Sequence, residues 1–362
     1  MNNLTNTSST NSTDEIYLRF KDAGLSFELI SWATIKFIFA LISQIMCASV
    51  VYVTIKSKTL RQSYNILIVA NCICGFFFMF TFSIQFGIII TGINFIPLKI
   101  CFPLMIIPIF FVQSQYLLYL ALSIDRLITV MFPIWHLTHI QKSDRGNKFY
   151  LFFIFTLIIC YAGCTVLSGI NPSFFDTPNK QVSCSTPDAV PAIVFQVVVY
   201  YNFVSLICYM LLWGIMRKNG KTNLAANLYA TRRILNSIIS VFLLEFFGWF
   251  GNTLTRNVLT WLQVSPLFLW RAMNIAGIIL VPILALYAPV LYIMSKDYGR
   301  AFNTCFGFHF PFTNRHDAAG SSIIRNGVSQ HVKISKVDIV RPWTNIQSTP
   351  PPFIDRKLSQ RY

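Results

Sequence analysis

The chain has 362 residues, of which 54% are hydrophobic and only 12% charged, with a formal net charge of +16. A soluble domain carries about 25% charged residues, so a water-soluble helical bundle with charged outer faces is excluded. The basic residues are scattered over short loops and form no continuous groove, which excludes nucleic-acid binding.

Seven apolar runs, roughly 29–55, 64–90, 102–124, 149–170, 189–216, 234–258 and 267–294, reach the ~20 residues that a membrane-spanning helix needs. "YNILIVANCICGFFFMFTFSIQFGIII" from Tyr64 has no charge on any face. The expected fold is an all-α membrane protein, a seven-transmembrane helix bundle with its termini on opposite sides. The expected organisation is an N-terminal segment 1–28, a bundle with a short amphipathic helix over 29–302, and a tail 303–362.

Before the first run lies a polar stretch with three N-x-[ST] sequons, at Asn3, Asn6 and Asn11. It has no basic segment leading into an apolar one, so a cleaved signal peptide is not expected and the first helix serves as the insertion signal. Glycan acceptors belong on the extracellular side. The positive-inside rule agrees. Lys56, Lys58 and Arg61 follow the first helix, Lys142, Arg145 and Lys148 the third, and Arg217, Lys218, Lys221, Arg232 and Arg233 the fifth; the alternate loops hold little more than Lys99, Lys180 and Arg256. The N-terminus is therefore expected outside and the C-terminus inside.

Two intramembrane cations stand in the outer halves of the first and seventh helices, Lys36 and Arg271. Their first reading is snorkelling toward the headgroups. The second is recognition of an anionic or polar ligand, with Arg271 the stronger candidate at the mouth of the bundle.

Of nine cysteines, only Cys101 and Cys184 fall on the expected outer surface. That compartment is oxidising, so they should pair and staple the second outer loop to the third helix. The remaining helical cysteines read as small packing residues. Cys305, after the last helix in "GRAFNTCFGF", is a candidate for S-acylation at the inner leaflet.

The third helix ends in "SIDRLITVMFPIWH". Arg126, preceded by Asp125, stands twenty-five residues after Cys101, and Pro133 follows seven residues after Arg126. The seventh helix ends in "YAPVLYIMSKDYGRAF", with Pro289 and Tyr292 followed by Tyr298 and Phe302. "LRQSYNILIVA" precedes them at the start of the second helix. Together, in this order, these stretches resemble the rhodopsin-like (class A) G-protein-coupled receptors over about 29–303. "SIDRLITVMFPIWH" resembles, within them, the nematode serpentine chemoreceptors of the Srsx class.

The resemblance implies an activation switch built from Asp125, Arg126, Trp249, Pro289 and Tyr292, with Arg126 as inactive-state latch and G-protein contact. An arginine remains charged at any working pH and offers five donors, which suits both roles. Glu245, one turn from Trp249 in "EFFGWFGN", joins the switch by its depth in the bilayer; a satisfied core acid or a ligand contact are the alternatives. The chain departs from the family at several points. Leu127 stands for the Tyr after Arg126, and Ala288 for the Asn before Pro289. Gly75 replaces the central acid of the second helix, Cys47 the Asn of the first, and Gly251 the kinking Pro of the sixth, where Gly248 and Gly251 together could loosen the helix. The sodium-and-water network of the family is therefore expected to be absent or altered. At the base of the sixth helix Thr231 stands where relatives carry an acid that also restrains the Arg, so a loosely held latch is expected.

A ligand pocket is expected between the outer halves of helices 3, 5, 6 and 7, with Gln85, Gln113, Tyr116, Gln196, Tyr200, Trp249, Arg271 and Asn274 as candidates. No acid lies between Cys101 and Asp125, which argues against a biogenic amine; no Lys lies in the seventh helix, which excludes an opsin. No phosphate loop, metal-ligand spacing or nucleophile–base pair is present, so neither an enzyme nor a metal or cofactor is expected. The implied partners are a small-molecule ligand, membrane lipid, a heterotrimeric G protein, and an arrestin and receptor kinase acting on tail sites such as Ser321, Ser322, Ser329, Ser335, Ser348 and Thr349. The implied location is the plasma membrane, the sensory cilium included. A peptide-type or other class A receptor is the alternative reading. A transporter or channel subunit is less favoured, since broken helices and repeat symmetry are lacking.

Overall fold

Backbone polar groups in hydrocarbon must be satisfied within the segment, so an apolar chain of this kind folds into helices. The computed structural model describes residues 16–60, 62–141, 144–170, 176, 179–185, 192–219, 240, 243 and 246–307. Six helices among these are long and apolar enough to cross a membrane. The spans are, in chain order, Phe27–Lys56, Ser63–Ile90, Leu98–Met131, Arg145–Ile170, Val197–Ile215 and, last, Pro266–Met294. Residues 246–261 supply the described part of the sixth helix in chain order. The protein is a multi-pass membrane protein with the seven-helix serpentine architecture.

Large apolar side chains cover the outside of the bundle. Phe149, Phe152, Ile45, Met210 and Ile293 are each more than 60% exposed. In water such a continuous apolar surface would drive association; in a bilayer it is the surface lipid requires.

The third helix is longer than its apolar run. It begins at Leu98 and continues to Met131, although Pro103 and Pro108 lie inside it. Each proline removes one helical N–H, leaving the carbonyls of Lys99 and Leu104 without their usual donors, which a packed bundle tolerates. The seventh span is interrupted at Leu286, between Pro266–Ala285 and Tyr287–Met294. The ring of Pro289 cannot donate to the carbonyl of Ala285 and crowds it, so the helix bends there. The Leu286 N–H is shared between its regular i−4 acceptor, the Pro282 carbonyl at 3.1 Å, and the Ile283 carbonyl at 3.2 Å.

At one end of the bundle, β1 (Ile96–Pro97) pairs antiparallel with β2 (Gln181–Val182), in the register Ile96 to Val182. The Leu98 N–H donates to the Lys180 carbonyl at 2.8 Å, and Cys101 and Cys184 form the expected disulfide. Around it pack Phe102, Met105 and Ile109. Asn94, buried and at a positive φ of 57°, donates from its amide to the carbonyls of Phe20 (3.0 Å) and Gly24 (2.8 Å). These bonds draw the segment before the first span onto the bundle, where Phe20 joins Leu29, Ala33 and Ile89. The polar N-terminal composition did not foreshadow this docking.

At the opposite end, Lys296–Phe306 forms the expected amphipathic helix, extending past the boundary at 302. The Ser295 hydroxyl caps it by accepting from the Tyr298 N–H, and Gly307 ends it with a left-handed φ of 69°. Tyr298 is 1% exposed and lies against the Thr54 hydroxyl of the first span, 3.4 Å away. Burial pushes its phenol up, so it remains protonated. Tyr292 donates from its hydroxyl to Oδ1 of Asn303 at 2.9 Å, and its ring meets Phe302 edge-on at 5.9 Å.

Helix association in lipid relies on close packing and interhelical hydrogen bonds. Gly248 shows the first: a Cβ there would sit 2.9 Å from Leu280 Cδ1. Its role is therefore close approach to the seventh span. Gly251 has nothing within 4 Å of an added Cβ.

Candidate functional site

Between the disulfide end and the bundle centre lies a cavity of about 320 Å³, within the range of small-molecule pockets. Its floor is aromatic. Trp249 meets Tyr116 edge-on at 5.0 Å and Phe78 at 5.7 Å. The third helix adds Val112 and Gln113, and the second adds Thr81, Phe82 and Gln85. The seventh span adds Leu269, Trp270, Met273, Asn274, Gly277 and Leu280, and the sixth helix Asn252 and Arg256. The β2 strand and disulfide carry Ser183 and Ser185 to its rim, and Ile16 reaches it from the N-terminal segment.

Two polar atoms on this floor have no partner among the described residues. Gln113 is 2% exposed and Trp249 7%, yet Oε1 of the first and the indole N–H of the second are unbonded. A buried unmade hydrogen bond costs roughly 1–3 kcal/mol. An acceptor and a donor left open in one cavity are what a polar ligand or water would satisfy.

The structure thus brings together Gln85, Gln113, Tyr116, Trp249 and Asn274 from the expected set. Two others are corrected. Tyr200 is 69% exposed on the outside of the fifth span, because its position along that helix faces away from the bundle. Arg271 does not line the cavity: it makes a two-pronged ion pair with Glu28 of the first span, Nε to Oε1 at 2.6 Å and Nη2 to Oε2 at 3.1 Å. Its charge is met by this carboxylate at the outer end of the first span, with the side chain 43% exposed, so it is not a cavity-facing cation. The side chain of Gln196 and the whole of Glu245 lie outside the described residues.

The cavity is also displaced toward the first and second spans; among the described residues no fifth-span side chain lines it. Lys36 is the main residue that composition misplaced. It is 8% exposed, lines the cavity, and donates from Nζ to Asn274 Oδ1 at 2.6 Å. Unlike Arg271, it turns inward and does not snorkel. Its signal was periodic: Leu29, Ala33, Lys36, Ala40, Ser43 and Cys47 fall on one buried face at helical spacing. Asn252, one turn beyond Trp249, was legible in the same way.

Below the floor, Gln115 occupies the space opened by Gly75. A Cβ at Gly75 would meet Cys47 Sγ and Gln115 Nε2, each at 3.5 Å. Asn71 and Gln115 keep oxygens without a partner there, and no carboxylate joins them among the described residues.

The other end of the third helix holds Asp125 and Arg126. Arg126 Nη2 lies 3.1 Å from Asp125 Oδ2. Tyr150 of the fourth span donates to Asp125 Oδ1 at 3.1 Å, and His136 Nε2 lies 3.8 Å from the same oxygen. Asp125 is 1% exposed, so these neighbours rather than water surround its charge. The guanidinium also lies over the ring of Tyr64, 4.0 Å from its centroid. The expectation of a loosely held latch rests on Thr231; what the described residues add is a cation–π contact from Tyr64 of the second span, which no acid motif announces. Thr231 lies outside the described residues, as do Asn3, Asn6, Asn11 and the tail sites. Pro289 and Tyr292 sit where the seventh span meets the amphipathic helix, and Cys305 is half-buried on that helix.

No group of three or more His, Cys, Asp or Glu side chains among the described residues is placed to hold a metal ion. No curated protein matches the chain. Among protein families, the serpentine type 7TM GPCR chemoreceptor Srsx matches residues 37–306, which takes in the pocket apart from Ile16 and Lys36, the Asp125–Arg126 pair and the amphipathic helix. That is a family of receptors, not of enzymes, whose partners are of two kinds, a small-molecule ligand and a G protein. With three quarters of its length matched, from the first span to the end of the amphipathic helix, this chain belongs to the serpentine Srsx chemoreceptor family.

Proposed function

We propose that the protein is a chemosensory receptor that binds an environmental small molecule in the Trp249 cavity and signals through a heterotrimeric G protein at the Arg126 end. One observation carries this reading. A single continuous helix, Leu98–Met131, bears both the open polar floor at Gln113 and Tyr116 and the ion pair of Asp125 with Arg126. A ligand that favours one packing around Trp249 shifts the population of bundle states, and the same helix carries the shift to Arg126. Trp249, Pro289 and Tyr292 act as movable joints in this scheme, with Glu245 beside them. Arg126 leaves Asp125 and Tyr64 to meet the G protein.

The distribution of Lys and Arg supports an extracellular N-terminus, glycosylated at Asn3, Asn6 and Asn11, and a cytoplasmic tail open to kinase and arrestin. The plasma membrane, at a sensory cilium, is the location this role requires. A cavity of about 320 Å³ roofed by Ser183, Ser185 and Ile16 favours a small molecule over a peptide.

The test is a small-molecule library screened on cells expressing the receptor, with a second-messenger readout. Activation that disappears in Arg126→Ala and is right-shifted in Gln113→Leu is the expected result. A response to peptides alone, or one indifferent to both variants at equal surface expression, overturns the proposal.

A further inference from the structure

We infer that the ligand of this receptor carries an anionic, carboxylate-type group that docks on Lys36. The inference rests on the cavity being the ligand site, and it adds the chemical class.

Lys36 is more than nine-tenths buried in the bundle. An ammonium has three donors and a full charge. Here one donor is used, on the neutral Oδ1 of Asn274 at 2.6 Å. Asn274 is itself oriented, since its Nδ2 donates to the Trp270 carbonyl at 2.9 Å, so Oδ1 is held facing the amine. No described carboxylate comes within ion-pair distance of Lys36. Glu28 is engaged by Arg271, and Asp125 lies at the far end of the bundle with Arg126. A buried charge without a counter-charge is costly, and intramembrane charges are retained where they serve a function.

Arg256 also lines the cavity, and no described acid does. An amine ligand would meet repulsion there. A carboxylate would take the free Lys36 donors in charge-assisted bonds. Its apolar body would lie on Phe78, Phe82 and Trp249. Gly277 leaves the room for this: a Cβ there would stand 3.2 Å from Lys36 Cε and 3.4 Å from Nζ, pressing on the amine.

The test uses the full-length receptor in lipid nanodiscs. The probes are benzoate, nicotinate and indole-3-acetate, each with its methyl ester and the amine of matching skeleton. Thermal unfolding reports binding. At least one acid is expected to raise the melting temperature at concentrations where its ester and amine do not, with affinity falling at least tenfold in Lys36→Met and surviving in Lys36→Arg. Without any probe, Lys36→Met is expected to melt at or above the wild-type temperature, because an uncompensated charge has been removed. Acids, esters and amines binding alike, acid binding that survives Lys36→Met, no acid binding at millimolar concentration, or a lowered melting temperature of unliganded Lys36→Met would each overturn the inference. Met273→Trp separates this from the underlying reading, since it fills the cavity. Ester binding abolished by Met273→Trp but untouched by Lys36→Met sinks the anionic class and leaves the pocket standing. Probe binding indifferent to Met273→Trp removes the pocket itself.

Discussion

Replacing Tyr64 by Leu isolates the restraint on Arg126 that motif reading did not supply. The guanidinium carbon lies 4.0 Å from the ring centroid, well inside the ~6 Å limit for a cation–π contact. The Arg126 side chain is 12% exposed, so the contact is largely desolvated and contributes about 1–2 kcal/mol. Leu keeps an apolar side chain but removes the π face. If the contact exists only in the resting state, its loss shifts the equilibrium toward the active state by about 5- to 30-fold. A receptor with about 1% active population at rest would then show about 5–25%. The assay is ligand-free second-messenger output, normalised to surface expression, for wild type, Tyr64→Leu, Tyr64→Phe and Arg126→Ala. Leu should raise output several-fold, Phe should raise it far less because the ring remains, and Arg126→Ala should stay silent. Equal output from wild type and Tyr64→Leu, or an equal rise for Leu and Phe, refutes the cation–π restraint.

Three further outcomes follow from the geometry. Tyr150→Phe removes a hydrogen bond to the Asp125 carboxylate, at 3.1 Å, that contributes about 1.5–3 kcal/mol; basal output should rise, and no change would show that Tyr150 does not restrain Asp125. Breaking Cys101–Cys184 by Cys184→Ser frees β2 from the third helix and should cost about 2–5 kcal/mol; thermal unfolding in nanodiscs measures it, and an unchanged melting temperature would contradict a stapling role. Gly248→Ile forces a side chain into the 2.9 Å space before Leu280 Cδ1, an overpacking cost of about 1–3 kcal/mol; a wild-type melting temperature would mean that the sixth helix and seventh span do not approach so closely.

Much of this protein is legible in its chain because lipid imposes one-dimensional rules. Apolar length marks spans, and compartment chemistry pairs Cys101 with Cys184. The interval from Cys101 to Arg126 identifies a helix stapled at one end and charged at the other. Ends were less legible: Leu98–Met131 outruns its apolar core because helices continue into the interfaces, where polar residues and prolines are tolerated. Loops were least legible. Nothing in the polar N-terminal composition announces that Asn94 will tie it to the bundle through Phe20 and Gly24.

Lys36 and Arg271 show where sequence alone stops. Both are lone cations in apolar runs, and each by itself reads as a snorkelling side chain. Burial and partner separate them: Glu28 neutralises Arg271, while Lys36 turns inward to Asn274. The same holds for Arg126, whose ring partner Tyr64 lies on another helix. Hydropathy and charge sign are properties of single positions, so the chain by itself determined the membrane fold, the family, the disulfide and the charged end of the third helix. The rotation of each helix about its axis depends on all its neighbours at once. That rotation, visible only in the folded bundle, decided which cation is satisfied and which faces the cavity.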